Sequence, residues 1–274
     1  MRSDLTSYSP KKHFGQNFLT DQNVKDKIIN ACDLKKEDTV LEIGPGKGVL
    51  TQSIAPHVKR LIAVETDPTL APALQEQFKD TNITVVHDDF LKYDLKDIPT
   101  GTKVIGNLPY NISTPIIEKI LMHRDRFSVF YLTVQWELGL RIAAAPDNKD
   151  YGAFSCFVQY YSEPKILFKI KNTAFKPVPK VQSCFLRLNL FQEPKLKCKN
   201  EELLFQITRQ AFQSRRKNIL NSLEKILGKE ELTKILGSLK IDSNWRAENV
   251  SLENFVALTN ALSMAFPTLK PMIH

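Results

Sequence analysis

Short apolar runs alternate with helical periodicity over the first two thirds of the 274-residue chain. The runs predict strands at Thr39–Ile43, Arg60–Glu65, Ile83–His87, Lys103–Asn107, Ser128–Val134, Ile166–Ile170 and Gln182–Leu188. Helical spacing fills most of the intervals. Strands that alternate with helices imply βαβ units and a mainly parallel sheet. Two helix starts carry local signals: Asp67-Pro68 and Thr114-Pro115 each put a capping residue ahead of a proline suited to the first helical position.

The pattern changes after Leu190. Residues 191–200 contain Pro194 and three lysines and read as a linker. Beyond Glu201 only helical periodicity remains. Leu203, Leu204, Ile207, Ala211 and Phe212 share one face, and Ile219, Leu220, Leu223, Ile226 and Leu227 form a second stripe. Ser251 precedes a last helix bearing Phe255, Leu258, Leu262 and Phe266. The expected organisation is a sheet domain over residues 1–190, a linker over 191–200 and a small helical domain over 201–274.

Composition narrows the partners. Hydrophobic residues make up 42% of the chain, enough for a sizeable core, yet no apolar run reaches the length of a membrane span. Met1 to Lys12 offers no apolar stretch for a signal peptide, and a cytoplasmic location is expected. Cys32, Cys156, Cys184 and Cys198 form no C-x-x-C pair, and with five histidines the chain lacks a plausible metal set; reduced structural thiols are expected. The net charge of +8 favours a polyanion. Its distribution says more. Lys165, Lys169, Lys171, Lys176, Lys180 and Arg187 occur between Pro164 and Gln192 with no acid among them, and Arg215, Arg216 and Lys217 form a second cluster. Either cluster suits a solvated face; beside prolines and aromatics they favour a nucleic-acid footprint.

The segment Val40-Leu-Glu-Ile-Gly44-Pro-Gly46-Lys-Gly48 runs from a strand into a glycine-rich turn and a helix. In an open α/β sheet such a turn lies at the carboxyl edge of the strands, where ligands bind, and glycine lets the backbone come close to them. The dinucleotide pattern G-x-G-x-x-G does not fit, because Val49, Leu50 and Thr51 follow Gly48. An S-adenosylmethionine loop fits better than a pyrophosphate loop, and a nicotinamide dehydrogenase is disfavoured. Glu65 ends the next strand 19 residues after Gly46, where a carboxylate accepts bonds from ribose hydroxyls. Asp88 and Asp89 end the third strand, and Asp89 is suited to a cofactor adenine amine. Helix capping is the alternative role of these acids.

Gly106-Asn107-Leu108-Pro109-Tyr110-Asn111 follows the fourth strand and resembles the (N/D)-P-P-(Y/F) motif of amino-methyltransferases that act on bases. An exocyclic adenine amine is a poor nucleophile because its lone pair is delocalised into the ring. Hydrogen bonds from that amine to the Asn107 side-chain oxygen and to a backbone carbonyl at Leu108 or Pro109 favour a pyramidal nitrogen and aim its lone pair. Pro109 stiffens the loop and Tyr110 can stack on the base. The target base must be unpaired or flipped out. Phe175, in Phe175-Lys-Pro-Val-Pro-Lys-Val, is the candidate for the opposite wall of the base pocket, and packing in a proline-stiffened loop is its alternative.

Several segments together resemble the ribosomal RNA adenine dimethyltransferases: Lys12-His-Phe14-Gly15-Gln16-Asn17-Phe18-Leu19, Glu42-Ile-Gly44-Pro-Gly46, Gly106-Asn-Leu-Pro-Tyr-Asn-Ile-Ser113, Phe175-Lys-Pro-Val-Pro-Lys-Val, Ala211-Phe-Gln-Ser-Arg215-Arg-Lys217 and Arg246-Ala-Glu-Asn-Val-Ser251. The last two favour the bacterial small-subunit branch over the erythromycin-resistance methyltransferases. The resemblance implies a Rossmann-like class I methyltransferase with a seven-stranded, mainly parallel sheet and an all-α C-terminal domain. It implies S-adenosyl-L-methionine without a metal, with contacts at Asn17, Leu19, Gly44, Gly46, Glu65, Asp89 and Asn107. It implies dimethylation of two adjacent adenosines in a hairpin loop near the 3′ end of 16S rRNA, within the immature small ribosomal subunit, by a monomer with no membrane partner. Lys176, Lys180, Arg215, Arg216 and Lys217 are the expected RNA contacts. One departure is visible: the family commonly has Gln-Lys-Glu where this chain has Gln135-Trp136-Glu137. Methylation of 23S rRNA or of DNA adenine, and a binding role in ribosome assembly or transcription without turnover, are the alternatives.

Overall fold

The structure, a computed structural model, describes residues 8–11 and 14–266. Lys12 and His13 of the N-terminal motif lie outside the described residues. In chain order the elements are β1 (Phe18–Leu19), α1 (Gln22–Ala31), β2 (Thr39–Ile43), α2 (Val49–Ile54), β3 (Arg60–Glu65), α3 (Leu70–Gln77), β4 (Ile83–His87), β5 (Thr102–Asn107), α4 (Ser113–Met122), β6 (Phe127–Gln135) and α5 (Trp136–Ala143). They continue with α6 (Ala153–Tyr161), β7 (Ser162–Ile170), β8 (Phe175–Lys176), β9 (Ser183–Leu190), α7 (Glu201–Phe212), α8 (Ile219–Leu223), α9 (Lys229–Ser238) and α10 (Leu252–Ala265). Packing divides the chain into two compact units, Met1–Gly139 with Glu163–Gln192, and Leu140–Ser162 with Glu193–His274.

The first unit holds a seven-stranded sheet in the order β4-β3-β2-β5-β6-β9-β7. The ladders from β4 through β6 are parallel, and β9 runs antiparallel to β6 with Tyr131 opposite Arg187. Residues Leu61 to Glu65 are all buried, as are Val40 to Ile43. Continuous burial, without polar alternation, is what a parallel sheet covered on both faces requires. The mainly parallel, Rossmann-like sheet is therefore the one the apolar runs implied. A second, two-stranded ladder pairs β1 with β8, Leu19 opposite Phe175. Two-residue strands have too little pattern to stand out in a sequence.

Helix starts differ in detail from the proline signals. α4 begins at Ser113, with Ile112 as its N-cap, two residues earlier than the proline signal implies; the Ser113 hydroxyl donates to the Pro109 carbonyl (2.9 Å) at this start. Thr114 falls inside the first turn. Asp67 does bond the backbone ahead of α3, accepting from Thr69 N (2.8 Å) and Leu70 N (3.3 Å), while Pro68 occupies the intervening turn.

The second unit gathers α6 with the C-terminal helices, so the chain does not divide at residue 190 alone. The reason is aromatic. Phe157 and Phe205 have ring centroids 5.0 Å apart, and Tyr161 lies 5.6 Å from Phe205. The hydroxyls of Tyr160 and Tyr161 donate to the two oxygens of Glu201, at 3.1 and 2.6 Å. A helix with this stripe buries it against the α7 ring and satisfies both hydroxyls there. The stripe expected from Ile219 to Leu227 is helical only to Leu223.

Gly139 shows how closely α5 meets β9: an added Cβ would overlap the Cys184 sulfur, which is fully buried. Gly139→Ala is expected to lower stability by about 1–3 kcal/mol, measured as the urea midpoint. Adding Cys184→Ala to it should recover part of that loss, and a double variant less stable than both singles would contradict the clash.

Candidate active site

One cleft at the carboxyl ends of β2, β3, β4 and β5 is lined by four segments: the arm Phe14–Leu19, the glycine turn, the acids after β3 and β4, and the loop after β5. Asn17, Leu19, Gly44, Gly46, Glu65, Asp89, Asn107, Leu108, Pro109 and Tyr110 all line it. Residues distant in sequence meet because parallel strands put their carboxyl ends on one edge of the sheet.

The glycine turn depends on conformations that side chains resist. Gly44, Gly46 and Gly48 have φ of 66°, 60° and 77°. At Gly46 an added Cβ would also stand 2.8 Å from the Phe18 ring, so glycine there lets the arm close against the turn. Glu65, 4% exposed, accepts from Gly46 N through one oxygen and from Asp67 N through the other, both at 2.9 Å. Burial raises its carboxyl above the usual carboxylate range, opposed by those two backbone bonds. Asp67 in turn anchors the arm: Tyr8 donates its hydroxyl to Oδ2 at 2.5 Å and Lys11 its ammonium to Oδ1 at 3.0 Å. Burial alone would raise Asp67, but these bonds outweigh it and hold the carboxyl at about 2.

Asn107 lies at the last position of β5, opposite Thr133 of β6. Its Nδ2 donates to the Asn17 carbonyl at 3.0 Å. That bond commits the donor end of the amide to the arm, and Asn107 itself lines the cleft. The Pro109 carbonyl already accepts from Ile112 N (3.2 Å) and the Ser113 hydroxyl (2.9 Å). Of the two backbone acceptors expected beside Asn107, Leu108 is therefore the better suited. Leu108 N donates to Thr133 O at 3.3 Å, which ties the loop to the neighbouring strand. Gly106 permits this bend, since a Cβ there would meet Leu108 Cδ2 at 2.6 Å. The Tyr110 and Ser183 hydroxyls are hydrogen-bonded at 2.7 Å, and burial raises the Tyr110 phenol, which stays protonated.

Three features were not singled out from sequence. Glu42 lines the cleft at 2% exposure, and its Oε2 has no hydrogen-bond partner among the described residues. Phe90 follows Asp89 onto the cleft wall. Lys119 of α4 donates to the carbonyls of Phe90 (2.8 Å), Leu91 (3.0 Å) and Tyr93 (2.6 Å), so its three protons fix the loop that carries Asp89. No sequence signal marks Lys119, because its acceptors are backbone atoms 26 to 29 residues away.

Phe175 is not brought to the cleft. It is 2% exposed and packs in the core with Leu19, Ile28 and Ile170, because pairing with β1 turns its ring inward. Lys176 and Lys180, in the same loop, are exposed, as are Arg215, Arg216 and Lys217 in the second unit. Trp136 opens α5, with the Lys169 ammonium 4.6 Å from its ring centroid. Among the described residues no cluster of His, Cys, Asp and Glu is arranged to hold a metal, and no helix is long and apolar enough to cross a membrane.

Burial pushes the Glu42 carboxyl up to about 8, and the Glu65 charge acts in the same direction. An acid raised above its unfolded value near 4.5 costs no stability while both states are protonated; the cost grows as pH rises toward 8. Glu42→Gln is therefore expected to raise the Tm of the ligand-free protein more at pH 8 than at pH 5, by scanning calorimetry. A gain independent of pH would mean that Glu42 is ionised in the folded state throughout.

The profile of the family described as "Ribosomal RNA adenine dimethylase" matches residues 8–263. The chain is 39% identical over 256 residues to the ribosomal RNA small subunit methyltransferase A of Clostridium acetobutylicum, covering 92% of this chain and 93% of that one. It is 42% identical over 272 residues to the protein of the same name from Halothermothrix orenii, covering 94% and 90%. Among solved structures, the 23S rRNA methyltransferase ErmE aligns with a TM-score of 0.71 at 27% identity, over 90% of this chain and all of that one. A dimethyladenosine transferase from Plasmodium falciparum shares the fold, with a TM-score of 0.78 at 24% identity over 90% and 98%. A profile match over nearly the whole described chain, with relatives this similar, means that the protein belongs to the ribosomal RNA adenine dimethylase family and is an S-adenosylmethionine-dependent rRNA adenine dimethyltransferase.

Proposed function

We propose that the chain dimethylates N6 of two adjacent adenosines in the 3′-terminal hairpin loop of 16S rRNA, acting as a monomer on the immature small ribosomal subunit. The observation that carries the chemistry is the Asn107 amide, whose donor end is held by Asn17 and whose acceptor end is left for an amine. Relatives named for the small subunit match at 39% and 42% identity, against 27% for the 23S enzyme, which supports the small-subunit reading.

The cleft fits the cofactor on physical grounds. The orphaned Glu42 oxygen leaves an unmet hydrogen-bonding atom on the cleft wall, and at Gly44 an added Cβ meets nothing within 4 Å, which leaves room for close approach to the backbone. S-adenosyl-L-methionine, when bound, supplies an electrophilic methyl group. Glu65 retains lone pairs beyond its two backbone bonds and would accept from ribose hydroxyls. Asp89 would accept from the adenine amine, while Gly44, Gly46, Asn17, Leu19 and Asn107 complete the holding set.

On the substrate side, Asn107 Oδ1 and the Leu108 carbonyl would accept the two N–H bonds of the target amine. They would thus direct its lone pair along the cleft and face the positive charge that develops on nitrogen. The proton then leaves an acidic ammonium, so no side chain needs to act as a strong base. Tyr110, its hydroxyl tied to Ser183, would present its ring to the flipped base. Lys176, Lys180 and the Arg215, Arg216, Lys217 cluster would hold phosphates.

Asn107→Ala is expected to reduce methyl transfer by at least about 100-fold with RNA affinity unchanged, in an assay of labelled methyl incorporated into small-subunit rRNA. Full transfer by this variant, or an unchanged 6-dimethyladenosine content in rRNA from cells lacking the protein, would sink the reading. Replacing Arg215, Arg216 and Lys217 together by Ala should weaken RNA binding and flatten the plot of log Kd against log salt concentration by about two units. An unaltered slope would remove the cluster from the RNA interface.

A further inference from the structure

Phe175 lies in the core, so its ring is not offered to the nucleotides that flank a flipped adenine. The same sheet edge offers another ring. Trp136 follows directly on β6, whose last residue Gln135 pairs with Ser183, and Ser183 is bonded to the Tyr110 hydroxyl. Trp136 N donates to Gln182 O at 2.9 Å, which fixes the start of α5 against the loop that ends at Gln182. The ring is only half-buried, unlike the core aromatics of this unit, and the Lys169 ammonium stands over it.

The flanking loop is of the same character. Val178 and Val181 are 58% and 44% exposed, and Lys176 and Lys180 are exposed between and beside them. From Pro164 to Gln192 this part of the chain has no acidic residue. Accessible apolar surface interleaved with cations repels a cationic or strongly hydrated partner and suits one that offers flat faces joined by anions. Unpaired RNA has that chemistry, with bases that stack and phosphates that pair.

We propose that Trp136 is the stacking platform for an unpaired nucleotide flanking the target adenosine, with Lys169 neutralising its phosphate. The inference rests on the RNA reading given above and names a contact that reading does not contain. Trp136 holds the strand so that the next base reaches Tyr110. It acts on binding and position, and it touches no reacting atom.

The chain has two tryptophans, so Trp245→Phe leaves Trp136 as the sole tryptophan, excited at the long-wavelength edge where tyrosine does not absorb. The probe is an RNA hairpin with adjacent adenines in its loop. Saturating RNA is expected to quench Trp136 emission in that variant. Trp136→Leu should raise the hairpin Kd at least about five-fold, and Trp136→Phe should restore most of the affinity. The Kd for S-adenosylmethionine should stay unchanged in all of them, which also reports correct folding. Lys169→Met should lower the salt slope by about 0.7 while quenching persists. Wild-type protein that binds the hairpin, combined with unquenched emission or with Trp136→Leu binding as tightly as wild type, overturns the platform alone. Wild-type protein that fails to bind the hairpin overturns the platform and the RNA reading together.

Discussion

A single buried carboxylate ties the cofactor side of the cleft together. Glu65 spends one oxygen on Gly46 N and the other on Asp67 N, and so fixes the glycine turn to the entry of α3. Asp67 then receives Tyr8 and Lys11 from the N-terminal arm. A carboxylate with almost no exposure is costly unless its oxygens are satisfied, and here backbone amides satisfy them. The bonds that make Glu65 tolerable are the same bonds that shape the turn, so fold and site share one energetic cause.

The catalytic side follows the same logic of prior commitment. An amide side chain has a donor end and an acceptor end, and which end meets a ligand depends on what holds the other. Asn17 holds the donor end of Asn107, and Ser113 and Ile112 occupy the Pro109 carbonyl. What remains is an acceptor pair suited to an amine with two N–H bonds. On the proposed reading, selectivity would come from atoms already engaged elsewhere, which would keep the reorganisation needed at the moment of reaction small.

The division of labour between the two units is visible in their chemistry. The sheet unit holds the cleft and an acid-free stretch of lysines and exposed valines. The helical unit joins α6 to α7 through Phe157, Tyr160, Tyr161 and Phe205 beside Glu201, and carries Arg215, Arg216 and Lys217 on its surface.

The sequence by itself determined the sheet, because parallel strands are written as short apolar runs, continuous where β2 and β3 are buried, and the runs of β2, β3 and β4 are bounded residue for residue. It also determined which residues meet at the cleft, since glycines, acids and the Asn107–Tyr110 motif stand at strand ends and parallel strands bring those ends together. Only the tertiary structure decided what long-range pairing controls. Phe175 reads as a wall of the base pocket, with packing in its proline-stiffened loop as the alternative, until pairing with β1 turns it inward. Residues 140–162 read as part of the sheet domain until their aromatic stripe finds Phe205. Lys119 carries no motif, because the carbonyls it grips belong to a loop that the chain brings back beside it. Local pattern encodes what a residue can bury; which partner buries it is set only when distant segments meet.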